Sequence, residues 1–124
     1  TQSKYYCVDM GLRNMLVRGK DSDIGHILEN VVYLELIRRG YEVFVGAIDD
    51  GEVDFVAKTD DGQYLYYQVA ASTLDPNTLK RELSPFKRIA DNYPKTLLTL
   101  DEVFSTADYE GIQKRNVLDW LLDE

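Results

Sequence analysis

The sequence predicts a single α/β domain with a mixed central sheet and flanking helices. Three observations carry that reading. A long helical pattern is followed by three β-rich segments joined by two Asp-Gly turns, Asp49-Asp50-Gly51 and Asp60-Asp61-Gly62, which is the signature of an antiparallel meander. A helix start at Asp75-Pro76 then separates the third segment from a fourth, Lys95 to Leu100. A strand reached across a helix runs parallel to a neighbour. Finally, 124 residues, 44% hydrophobic and 29% charged, suit one domain spanning 1–124 with one sheet at its centre.

The elements follow in order. Lys4 to Val8 reads as a short strand, and Asp9 caps a short helix over Met10 to Val17. Residues 18–23 are polar and contain Gly19, which makes a loop. Ile24 to Arg39 is the clearest helix, stopped by Gly40. Its apolar face holds Ile24, Ile27, Leu28, Val31 and Val32, widened by Leu34 and Leu36. Winding of about 100° per residue puts Glu35 in the middle of that face and Glu29 nearer its edge. Strands are expected over Tyr41 to Ile48, Glu52 to Lys58 and Gln63 to Ala71. In the second, Glu52 and Asp54 share one face and Val53 and Phe55 the other. In the third, Tyr66, Gln68 and Ala70 oppose Leu65, Tyr67 and Val69. The second main helix runs from Pro76 to about Asn92, broken or offset at Pro85. Tyr109 to Arg115 is a short edge strand, and Val117 to Leu122 a closing helix.

Composition excludes several classes. No apolar run approaches the roughly 18 residues of a membrane span. One cysteine, Cys7, makes no internal disulfide, which favours a reducing cytoplasm. One histidine, His26, argues against zinc and suits a solvent-facing helix position. The net charge of −8 weighs against tight, sequence-blind duplex binding. Tyr64, Tyr66 and Tyr67 could stack on bases, but tyrosine suits strands and core packing better. Lys80, Arg81, Lys87 and Arg88 make one helix face basic, either solvated or in contact with phosphate or another domain.

The residues able to carry chemistry sit on the meander. Asp54 and Gln68 lie on strands joined by one short turn and can stand side by side, with Glu29 or Glu35 brought over from the helix. A helix Glu, a strand Asp and an acid-x-Lys element make a hard-cation site that supports phosphodiester cleavage. Here the third element reads Gln68-Val69-Ala70. Gln68 offers a neutral amide, and Ala70 offers no charge.

With these residues at these places, the chain resembles the PD-(D/E)XK, restriction-endonuclease-like fold. Ile24-Gly25-His26-Ile27-Leu28-Glu29-Asn30, Glu52-Val53-Asp54-Phe55-Val56 and Asp91-Asn92-Tyr93-Pro94-Lys95 resemble the C-terminal domain, of unknown function, found in a family of prokaryotic AAA-type ATPases. Val8-Asp9-Met10-Gly11-Leu12-Arg13-Asn14 and Asp108-Tyr109-Glu110-Gly111-Ile112 do so as well. The resemblance implies an upstream ATPase domain as partner, the only place for ATP, since Gly19-Lys20 lacks the rest of a P-loop. It places Glu29 and Asp54 at the metal-ligand positions, Gln68 where Glu or Asp stands, and Ala70 where Lys stands. Both departures fall on the catalytic element.

The expected function is therefore a non-catalytic accessory domain, cytoplasmic, without a cofactor of its own. It would contact a partner, another domain or DNA or RNA. One alternative is an active Mg²⁺-dependent nuclease in which Glu52 or Glu35 replaces the missing carboxylate and a Lys such as Lys58 reaches in. A second is an oligomerisation or docking module, which would expose an apolar patch.

Overall fold

The computed structural model describes residues 21–48 and 51–123. Helix α1 (Asp21–Arg38) leads into strands β1 (Glu42–Ile48), β2 (Gly51–Lys58) and β3 (Tyr64–Ala70). Helix α2 (Pro76–Lys87), strands β4 (Lys95–Thr99), β5 (Ala107–Tyr109) and β6 (Ile112–Asn116), and helix α3 (Val117–Leu122) complete the chain. The expected strand over Lys4 to Val8, the helix over Met10 to Val17, Cys7 and Gly19-Lys20 lie outside the described residues.

The six strands form one sheet in the order β1-β2-β3-β4-β6-β5. β1, β2 and β3 are the antiparallel meander, and β4 lies parallel to both β3 and β6. The domain is thus α/β with a mixed sheet flanked by helices. α1 and α3 cover one face: Leu28, Val32 and Leu36 of α1 and Trp120 of α3 pack with Phe55, Tyr67, Val69 and Leu98. Complete burial of each such aliphatic side chain contributes roughly 1.5–3 kcal/mol. α2 covers the other face, setting Leu83 and Phe86 against Val53, Val56, Tyr66, Leu97 and Ile112.

Several expectations need correction. Ile27 and Leu34 point to solvent, so the apolar face of α1 is narrower than its apolar residues suggest. α2 ends at Lys87, two residues past Pro85, without being broken there. Arg88 and Ile89 N–H close the last turn onto the carbonyls of Pro85 and Phe86, the tight geometry common at helix ends. The single edge strand expected over Tyr109 to Arg115 is a hairpin. Tyr109 pairs with Ile112 around Glu110-Gly111, so β6 is interior and β5 is the outer strand on that side of the sheet. Tyr66 and Tyr67 are buried in opposite cores and Tyr64 packs edge-on against Tyr93, so the three form no stacking platform.

Candidate functional site

A bulge builds the site. Val45 pairs with Phe55 and Gly46 with Val53, which leaves Asp54 as an extra residue in β2. A bulge of this kind re-aims a side chain and halts pairing. Val53 and Phe55 consequently enter opposite cores, correcting the simple alternation read from sequence. The β2–β3 ladder also stops at the Phe55–Tyr67 pair, one residue short of Asp54.

Side chains replace the missing ladder bonds. The Asp54 N–H donates to Gln68 Oε1 (2.6 Å), and Val69 N–H donates to Asp54 Oδ2 (2.9 Å). Gln68 is buried, and its Nε2 donates to the backbone carbonyl (3.2 Å) and to Oε2 (3.3 Å) of Glu82 on α2. Gln68 thereby ties the meander to the helix through both ends of its amide.

Glu82 is the residue that sequence reasoning missed. Burial pushes its carboxyl up from the ordinary value, and the negative charges of Asp54 and Glu29 push further, opposed by Arg81. The Glu82 carboxyl thus feels the charges of both Asp54 and Glu29, and Gln68 is bonded to two of the three elements that carry these acids. No sequence motif singled out Glu82, because its helix follows the strand element being read.

The other candidates are placed elsewhere. Ala70 is buried at the end of β3, opposite Thr99 of β4. Glu35 is buried but accepts from Arg38 Nε and Nη2 (both 2.9 Å) and from Arg39 Nε (2.8 Å). Arg39 also stacks on Trp120 and donates to its carbonyl, so Glu35 anchors α1 to α3 and is no substitute ligand. Lys58 stands four residues beyond Asp54 on β2, paired with Glu42 and Tyr64. At about 3.3 Å per residue it is at the far end of the strand and does not reach the site. The Glu52 side chain lies outside the described residues. His26 is exposed, with Nδ1 3.8 Å from Glu29 Oε2.

The donor set does not suit a divalent cation as it stands. A hard cation takes carboxylate and carbonyl oxygens. Here the Gln68 oxygen is turned to a backbone N–H, and its amide hydrogens are turned toward Glu82. Among the described residues, no three His, Cys, Asp or Glu side chains are grouped to hold a metal ion. No helix among them is long and apolar enough to cross a membrane.

Comparison with known proteins finds a longer relative. Over 122 residues the chain is 41% identical to an uncharacterized protein of Haemophilus influenzae, covering 98% of this chain. The chain spans only 29% of that relative's length. No family model matches the chain, and no solved structure matches it.

Proposed function

We propose that this chain is a non-catalytic domain of restriction-endonuclease-like fold, serving a larger cytoplasmic AAA-type ATPase of prokaryotes. Its work is contact with a partner, another domain or nucleic acid, and it does not cut. The observation that carries this reading is the Gln68 amide. It stands where the resemblance expects a catalytic acid, and it spends its oxygen and its NH₂ group on Asp54 and Glu82. Ala70, two residues on, supplies no cation to activate water. The order α1-β1-β2-β3-α2-β4 agrees with the restriction-endonuclease-like core. The greater length of the Haemophilus influenzae relative agrees with a module carried by a larger protein.

A second reading is favoured by Glu82. An active Mg²⁺-dependent nuclease needs a third carboxylate, and Glu82 of α2 is the acid that shares its surroundings with Glu29 and Asp54. The test is cleavage of single-stranded, duplex and junction DNA, and of RNA, with Mg²⁺ or Mn²⁺. Wild type and Asp54→Ala are both expected to leave every substrate intact. Cleavage by the wild type that disappears in Asp54→Ala and in Glu82→Gln overturns the proposal in favour of the nuclease.

A further inference from the structure

A cavity of about 450 Å³ opens between the end of α2, the segment leading into β4 and the β5–β6 hairpin. Its size falls in the range of small-molecule sites. Buried Phe86 and Ile112 line it together with the half-buried rings of Tyr93 and Tyr109. One side is held rigid by a saturated network. Asp91 Oδ2 accepts from Tyr66 Oη (2.6 Å), and Asp91 Oδ1 accepts from Tyr93 N–H (3.0 Å) and Lys95 Nζ (3.1 Å). Lys95 Nζ also donates to the carbonyls of Asp91 (2.9 Å) and Tyr93 (3.0 Å).

That network neutralises the Asp91 and Lys95 charges against each other. The remaining lining charges are the Lys87 ammonium and the Glu110 carboxylate, which among the described residues make no ion pair. Glu110 is also strained. It sits at φ +54, followed by Gly111 at φ +92, as the two central residues of the hairpin. Such a turn favours Asn, Asp or Gly at its first position. A glutamate kept in a left-handed conformation at the rim of a cavity points to a role for its side chain.

We propose that this cavity binds a free α-amino acid with an aromatic side chain. The ligand carboxylate pairs with Lys87, its ammonium pairs with Glu110, and its ring packs on Phe86, Ile112 and the two tyrosines. The assignment is separate from the Gln68 site and does not depend on the function proposed there.

The test is a titration of the 124-residue chain with L-phenylalanine, followed by amide NMR shifts. Saturable shifts are expected at Tyr93, Tyr109 and Gly111. Phenylalanine amide and N-acetylphenylalanine each lack one charge and are expected to bind at least about tenfold more weakly, as is L-phenylalanine to Lys87→Gln. Glu110→Asn suits the turn better, so it is expected to fold at least as stably as wild type while losing affinity by about tenfold. Absence of saturable shifts with L-phenylalanine overturns the proposal. So does equal binding of the free and blocked ligands, or undiminished affinity in Glu110→Asn.

Discussion

Two polar clusters, one buried and one half-buried, lie on the same sheet and are built on opposite principles. Just beyond the end of β4, Asp101 Oδ2 lies 2.8 Å from Nζ of Lys114 in the middle of β6, both side chains being almost wholly enclosed. Asp101 Oδ2 also accepts from the N–H and hydroxyl of Thr73 (both 3.0 Å), and its carbonyl accepts from Asn116 Nδ2 (3.1 Å). Opposite charges are matched, and the Asp101 carboxylate is met by donors. Around Gln68 the reverse holds: like charges are gathered, and a neutral amide keeps two of them in place. The first cluster ties the β3–α2 and β4–β5 connections together. In the second, burial and the neighbouring negative charges both raise the Glu82 carboxyl, so this cluster works against the ionised form that the first one favours.

The pair gives the comparison its hardest test. Lys114→Met leaves Asp101 buried without its counter-charge, and removing one partner of a buried pair costs about 3–5 kcal/mol. Urea unfolding is expected to show a loss of that size; a change near zero would show that water reaches Asp101. The same cluster contributes to the acid sensitivity expected of the wild type. Burial raises the Asp101 carboxyl, but hydrogen bonds from Lys114, Ser72 and Thr73 outweigh it and lower it to about 2. A carboxyl lowered in the folded state contributes stability above its unfolded value of about 3.9. That contribution is lost as pH falls from about 4 toward 2, which thermal melts across that window can follow.

A smaller loss is expected from Gln68→Ala. It removes the amide that satisfies the Asp54 N–H and Glu82, at a cost of about 1–3 kcal/mol. If the bulge is held by its strand pairing alone, the measured cost will be negligible. The smallest effect has the opposite sign. The Glu82 carboxyl is raised in the fold by burial and by Asp54 and Glu29, so its ionisation opposes folding as pH rises above the unfolded carboxylate range. Glu82→Gln keeps an acceptor for Gln68 and is expected to raise Tm slightly at pH 7, with the gain vanishing near pH 4. A destabilised variant at pH 7 would mean that the Glu82 charge is favourably paired.

What could be read in the sequence was whatever local chemistry writes. The Asp-Gly turns, the Gly40 stop and the Asp75-Pro76 start each mark an element boundary within a few residues. The burial of Glu35 follows from helical winding alone. The β5–β6 hairpin escaped because Glu110-Gly111 lacks the usual turn chemistry, its left-handed glutamate being held by the surrounding structure. The bulge at Asp54 has no local signature either; it exists because strand pairing shifts at Val45/Gly46. Asp54 and Gln68 were legible as neighbours because one short turn joins their strands. Glu82 and the Asp101–Lys114 pair were not, since only tertiary packing brings those side chains together.

The sheet is also two halves of different kinetic character, joined at β3. From β1 to β3 every strand meets a partner supplied by the next turn of chain. Beyond β3 the two parallel pairings need longer connections, α2 between β3 and β4 and strand β5 between β4 and β6, while β5 and β6 are joined tightly around Glu110-Gly111. Closing long loops slows folding more than it changes stability. The meander is therefore the half expected to assemble early, and the Asp101–Lys114 pair, which joins connections of the parallel half, is expected to form late. A lesion there is expected to speed unfolding more than it slows folding, an outcome that stopped-flow unfolding of Lys114→Met checks.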